Sequence, residues 1–504
     1  MSYPHAPADA GVPVSSGRAL AARHASRHKR LTTGGNSELV RHIRNRVDLL
    51  TGILLVTITC LVIFHEWHVA AWMAPAKPVL VLVLVATLAV QVRVSRKAFV
   101  AVALGLTGAL AFSTAGWQAV ALDGLRSAAF IAAFFSALST LRNVAQTSAA
   151  VQAAGRFLSG QRPGRRYAAL TVGGQGFALL LNYGAIQLLG TLALANAETE
   201  PDPEVRGHRV RRMLLAIQRA FVSTLPWSPL SFAMAISVSV VPGASWAQAM
   251  VPGLVSSGLL AGIGWGLDTA FKPKLSVTPR RQTPEGSWAL MLPLLALLGV
   301  LVVSVIGLSA ITQVRIVGLV VVIVPVIALV WMLIQHWAQA PVRSVAWRVG
   351  DYVTRELPGY REELTLLMMA GYIGTVGSAL LGPLMQHAGL ELSVLPPWLL
   401  LVSFVWLVPL AGQLGMNPIL AVTLLAPLIP GAENLGVTPT AIVVALAAGW
   451  ALSGASSPFT ATTLLIGSFG GISALRVGWV WNGVYTLLCG AMLSLWVVVY
   501  AFAF

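Results

Sequence analysis

Charge is scarce in this 504-residue sequence: Asp, Glu, Lys and Arg together make up 10%, against about 25% in soluble domains. Acidic residues are scarcer still, 17 against 33 Lys and Arg, for a formal net charge of +16. Cysteine occurs only as Cys60 and Cys489, both inside apolar runs, which excludes a disulfide framework and a thiolate metal site. The nine histidines offer no metal centre; the nearest approach, His65-Glu66-Trp67-His68, has i, i+3 spacing and no third ligand. A GxSxG elbow, a Walker loop and a metal-binding acidic pair are all missing. What is plentiful is apolar sequence, 57% of the residues. No soluble core encloses that share, so the fold class is an all-α polytopic membrane protein. In such a chain a basic excess reports the positive-inside rule and not nucleic-acid binding.

Residues 1–47 are polar, carry eight Lys/Arg and lack the apolar core of a signal peptide. They read as a disordered basic cytoplasmic tail, followed by an extra N-terminal helix and its loop over 48–77. Further apolar runs fall at 78–92, 98–115, 124–141, 167–195, 210–240, 248–268, 288–308, 315–334, 363–385, 397–429, 438–468 and 478–503. One crossing takes about 20 residues. Runs 167–195 and 397–429 are long and interrupted by Gly, Asn and Gln, whereas 210–240 and 438–468 are broken by Pro and Ser. A single crossing by 167–195 would put its two basic flanks, 162–166 and 206–212, on opposite sides. A re-entrant hairpin leaves both in the cytoplasm, and 397–429, whose flanks contain no Lys or Arg, is read the same way.

The expectation is therefore about 11 transmembrane helices plus two re-entrant hairpins in a bacterial inner membrane. The N-terminus is cytoplasmic and the C-terminus periplasmic. Thirty of the 33 Lys/Arg then lie inside, and only Lys77, Arg126 and Arg315 lie outside.

The two halves repeat one order. Asn182-Tyr183-Gly184 interrupts the first hairpin, and a helix broken near Ser223, Thr224, Ser228 and Pro229 follows. Gln413 and Asn417 interrupt the second hairpin, and a helix broken near Ser453, Ser456, Ser457, Pro458 and Thr460 follows. Charge places the open end of the first hairpin inside and that of the second outside, which makes the halves inverted repeats. They cover 78–268 and 288–504, joined by a cytoplasmic linker, 269–287. Inverted repeats with discontinuous helices imply a secondary transporter whose site lies near the bilayer midplane. A membrane-embedded enzyme or a structural subunit of a membrane complex is the alternative.

With these residues in place, the chain resembles the ion transporter superfamily, most closely its divalent anion–sodium symporter (DASS) branch. The stretch 132–190, a helix, an amphipathic basic piece and a hairpin, looks like that family's first scaffold-to-hairpin passage, and 412–471 is similar to its second hairpin and broken helix. Asn182 and Asn417 stand where the family has the asparagine of a Ser-Asn-Thr tip; the flanking residues here are Leu181 and Tyr183, and Met416 and Pro418. The resemblance implies one extra helix before two inverted five-helix repeats, an elevator-like alternating access, and a homodimer.

The candidate substrate-binding set is Asn182, Tyr183, Gly184, Ser223, Thr224, Ser228, Gln413, Asn417, Ser453, Ser456, Ser457 and Thr460, with Gln175 next. These are neutral hydrogen-bonding groups beside unwound backbone. Half-helix N-termini at Leu230 and Phe459 point positive dipole ends inward, which suits an anion. No Asp or Glu lies in either hairpin or break, which argues against a sodium–proton antiporter of this superfamily. Arg219 is expected to snorkel to the interface. The function expected is secondary active transport of a small anionic solute, with no enzyme activity, metal or cofactor. Symport with sodium or a proton is the coupling mode expected.

Overall fold

The computed structural model describes residues 45–503 except 70, 74, 274, 276–285, 313, 338–340 and 388–394. The tail over 1–44, most of the linker 269–287 and Phe504 lie outside the described residues. Among the described residues every regular element is a helix. The first half runs α1 (Asn45–Glu66), α2 (Ala76–Gln91), α3 (Val94–Ser113), α4 (Trp117–Gln146), α5 (Ala149–Ser159), α6 (Pro163–Leu181), α7 (Tyr183–Glu198), α8 (Pro203–Thr224), α9 (Phe232–Val240) and α10 (Trp246–Ala270). The second runs α11 (Leu292–Thr312), α12 (Ile316–Gln335), α13 (Pro341–Asp351), α14 (Leu357–Gly359), α15 (Arg361–His387), α16 (Pro397–Gln413), α17 (Pro418–Leu425), α18 (Ala432–Leu435), α19 (Pro439–Ser456), α20 (Ala461–Gly470), α21 (Ala474–Arg476) and α22 (Gly483–Ala503).

Nine helices among the described residues are long and apolar enough to cross a membrane: α1, α3, α4, α10, α11, α12, α15, α22 and the α19–α20 pair taken together. Two of the eleven expected crossings are not among them. Run 78–92 forms the 16-residue α2, short for a crossing, and run 210–240 is divided between α8 and α9. That division follows from chemistry: Pro226 and Pro229 lack the N–H that an interior helical turn requires, and the chain unwinds until Ser231 caps α9.

The chain also turns at Asn182, whose φ of 50° and ψ of −131° stop the helix. This conformation belongs to the first central position of a type II′ turn, where Gly and Asn are favoured. α7 then returns along α6, because a Cβ on Gly174 would lie 3.7 Å from Leu189 Cδ1, and a Cβ on Gly155 of α5 would meet both Phe177 and Leu189. Arg166 and Arg212 line one cavity, so the chain between them leaves and returns at one level.

Several packing contacts correspond between the two halves, whereas others, such as that of α2 on α4, have no counterpart. α8 lies on α6 and α19 on α16; α9 lies against α19 and α20 against α8; α7 meets α20 and α17 meets α9. α12 packs on α4 and α3 on α15, while α4 and α15 pack on each other. Every one of these contacts maps onto its counterpart when the halves are exchanged. The effect is to bring both turns and both helix breaks to the middle of the molecule.

Candidate functional site

A cavity of about 400 Å³ opens where the turns and breaks meet. Of the residues expected from sequence, it is lined by Asn182, Tyr183, Thr224, Ser228, Asn417 and Thr460. Asn182 projects from its turn with no hydrogen-bond partner for its carboxamide among the described residues. Tyr183 stacks on Phe221 at a centroid distance of 5.0 Å, which fixes its ring on one wall. Thr224 donates to the Phe221 carbonyl at 2.7 Å, Ser228 Oγ accepts from the Leu230 amide at 3.1 Å, and Thr460 donates to the Ser457 carbonyl at 3.0 Å.

The other six do not line the cavity. Gly184 packs behind the turn, where a Cβ would lie 2.6 Å from Gln146 Nε2 and 3.0 Å from Arg142 Nε. Ser223 is fully buried and donates to the Arg219 carbonyl at 2.6 Å. Gln413 bridges Ser456 Oγ, at 3.2 Å, and the Trp479 indole, at 2.8 Å. Ser456 also donates to the Leu452 carbonyl at 2.8 Å, and Ser457 donates to the Gly412 carbonyl at 2.6 Å, tying the second break to the end of α16. Ser453 is fully buried with an unpartnered hydroxyl. Gln175 sits between α6 and α10, accepting from Ser257 at 3.4 Å.

Three helix N-termini open into the cavity. Its walls include Ser231, Phe232 and Ala233 at the start of α9, Asn417, Pro418 and Ile419 at the start of α17, and Thr460, Ala461 and Thr462 at the start of α20. The helical starts fall one or two residues beyond Leu230 and Phe459. Ser231 and Asn417 cap their own helices, accepting from the Met234 amide at 3.1 Å and the Ile419 amide at 2.8 Å. Thr460 makes no such cap, which leaves the first amides of α20 open. Free amides and aligned dipoles at three helix starts make a field suited to negative charge.

Sequence reading missed the charged groups of this cavity. Arg96 from the first turn of α3 and Glu363 from the first turn of α15 both line it, so the site does hold a carboxylate and a guanidinium. Arg96 also pairs with Glu362 at 3.6 Å. Both lie in stretches where charge otherwise reports topology, and only the packing of α3 on α15 brings them in.

Arg219 differs too: it does not snorkel but is 4% exposed. Its Nη1 donates to Tyr167 Oη at 3.0 Å and to the Gly264 carbonyl, its Nε to Asn482 Oδ1 at 3.2 Å, and its guanidinium lies 4.3 Å from the Tyr485 ring centre. Next to it, Gln218 donates to the Gly454 and Ala455 carbonyls at the end of α19. The network thus fixes a buried positive charge behind the second break. The partners of its Nε and Nη1 are neutral groups, which do not cancel that charge.

A second cavity, of about 620 Å³, lies on the other side of the first break. Leu230, Phe232 and Ala233 line the first cavity, whereas Pro229, Met234 and Ala235 line the second. The three basic residues that the charge pattern sets apart, Lys77, Arg126 and Arg315, all line this second cavity, with His65 and Glu66. Among the described residues no group of three or more His, Cys, Asp or Glu could hold a metal ion.

No family model matches the sequence, and none of the curated proteins matches it. The fold is similar to solved structures. The YdaH transporter of Alcanivorax borkumensis is 16% identical, with 80% of this chain and 98% of that one covered, at a TM-score of 0.49. MtrF of Neisseria gonorrhoeae, described within a class of antimetabolite efflux pumps, is 14% identical, with 82% and 96% covered, at 0.48. Likeness of this size carries neither substrate nor mechanism over to this chain, and it does not single out the divalent anion–sodium symporter branch.

Proposed function

We propose that this chain is a secondary active transporter of a small anionic solute, working by alternating access. The observation that carries the proposal is the convergence of both turns, both helix breaks and three helix N-termini on one cavity of about 400 Å³. Unwound backbone at that depth needs protein or a polar cavity to satisfy it, and a solute site at the junction of two repeats meets that need. On this reading α6–α7 and α16–α17 are re-entrant hairpins of inverted repeats, moving elevator-like with α8–α10 and α19–α22 against α4 and α15. The two cavities flanking residues 229–235 fit access from either side.

Charge favours an anion. The helix starts, Arg96 at the wall and Arg219 behind it all contribute positive potential, and the outer cavity carries Lys77, Arg126 and Arg315 at its lining. Glu363 supplies a carboxylate beside Arg96, able to take a proton or accompany a sodium ion, so we read the coupling as cation symport. The test is uptake by purified protein in liposomes with imposed sodium or proton gradients, screening carboxylates, oxyanions and cationic solutes. Gradient-driven accumulation of an anion is expected. Accumulation of a cationic solute with no anion transported would overturn the anion assignment. Anion flux indifferent to both gradients would keep the site and remove the symport.

A further inference from the structure

A smaller cavity of about 60 Å³ lies at the base of the α6–α7 pair, apart from the central one. Its walls come from Arg166 and Tyr167 of α6, from His208, Arg209 and Arg212 of α8, and from Pro273 and Leu275 beyond α10. The three guanidiniums are unequally satisfied. Arg212 is fully engaged, its Nε and Nη2 donating to the two oxygens of Asp268 at 2.7 and 2.6 Å. Arg209 donates through Nη2 to Glu200 at 2.6 Å, while its Nη1 is buried without a partner. Among the described residues Arg166 has no carboxylate pair: Nε donates to the Gln161 carbonyl at 2.7 Å, and Nη2 is buried without a partner.

Arg166 and Arg209 are each only 6% exposed. A buried, charged N–H group left unpaired is costly, and the two residues that carry such groups both line one small cavity. Among the described residues paired at this cavity, three arginines face two carboxylates, Glu200 and Asp268. Arg166 precedes the apolar run, and burial together with the neighbouring Arg209 and Arg212 pushes its guanidinium down to about 10. That is the direction expected of a cation short of counter-charge. The cavity, about 60 Å³, has room for a small oxyanion head.

We propose that this cradle binds a phosphate-type oxyanion, with Arg166 Nη2 and Arg209 Nη1 donating to its oxygens. Bound there, the oxyanion ties the start of α6 to α8 and to the chain leaving α10. Two sources carry this chemistry, the headgroup phosphate of an anionic phospholipid and free inorganic phosphate. The inference does not depend on the transport reading.

The test uses delipidated full-length protein in detergent, followed by thermal unfolding and native mass spectrometry. It is challenged separately with dioleoyl phosphatidylglycerol, dioleoyl phosphatidylcholine and inorganic phosphate. A raised Tm and a retained mass are expected with phosphatidylglycerol or phosphate, and not with phosphatidylcholine. Arg166→Gln should weaken binding about tenfold, the loss of one charge-assisted hydrogen bond, and Arg166→Lys should fall between. A response to phosphatidylglycerol alone assigns the lipid; a response to phosphate as well assigns the free oxyanion. Absence of both responses in the unsubstituted protein overturns the cradle, whether or not the variants fold. So does equal binding by the protein and Arg166→Gln.

Discussion

Asn182 combines two duties that one substitution can separate. Its positive φ suits Gly or Asn and strains other side chains, by about 1–2 kcal/mol where Cβ crowds the carbonyl. Its carboxamide is left free at the wall of the cavity. Asn182→Gly keeps the turn and removes the amide, so melting in detergent should stay close to that of the parent while uptake falls at least about tenfold, the worth of one hydrogen bond made to a charged solute. Full transport in this variant would reduce Asn182 to a turn residue. Asn417→Ala should lose transport and also about 1 kcal/mol of stability, because Oδ1 caps α17 through the Ile419 amide. Asn182, Ser228, Asn417 and Thr460 were legible in the sequence because a polar helix breaker inside an apolar run has few other uses at that depth. Ser223 and Ser457 gave the same signal, yet their hydroxyls serve backbone carbonyls. Arg96 and Glu363 gave none, since at helix ends a charge has solvation to explain it.

Among the elements, the matched contacts between halves depend on close helix approach. α16 and α19 come so near that a Cβ on Gly449 would sit 2.5 Å from the Phe404 carbonyl oxygen and 3.1 Å from that of Val405. Backbone cannot yield there as a side chain would, so Gly449→Ala should destabilise by about 1–3 kcal/mol, the range for overpacking. Gly266 in α10 has nothing within 4 Å of a Cβ. Gly266→Ala should therefore be neutral or stabilising by up to about 1 kcal/mol, from helix propensity alone. Thermal unfolding of the two variants side by side checks the contrast, and equal melting would mean that α16 and α19 are not so closely packed. The two breaks were readable because Pro226, Pro229 and Pro458 fall beside Ser and Thr in apolar runs, whereas the lone Pro252, Pro325 and Pro409 stay inside α10, α12 and α16. Exact starts were not, because Ser231 becomes an N-cap only when the Met234 amide has turned toward it, and Thr460 precedes α20 without capping it. The short α2 was hidden as well, since its apolar run looks like any other.

For the molecule as a whole, topology is the proposal on which the rest depends. The charge pattern puts the flanks 162–166 and 206–212 on one side together and leaves Lys77, Arg126 and Arg315 on the other. The fold gathers Arg166, Arg209 and Arg212, all assigned inside, around one cavity, and Lys77, Arg126 and Arg315, all assigned outside, around another. The burial of Arg219 was beyond the same rule, which treats every arginine as an interfacial charge. A membrane-impermeant maleimide tests the assignment in a background carrying Cys60→Ser and Cys489→Ser. Arg165→Cys and Arg211→Cys, both exposed positions, should label from the cytoplasmic side, and Arg126→Cys and Arg315→Cys, also exposed, from the periplasmic side. Labelling of 165 and 211 from opposite sides would mean that the segment between them crosses the membrane. The inverted relation of the halves, and with it the transporter proposal, would then fail. Common labelling of 165 and 211, with 126 and 315 on the far side, requires α6–α7 to enter and leave by one face, as a re-entrant pair must.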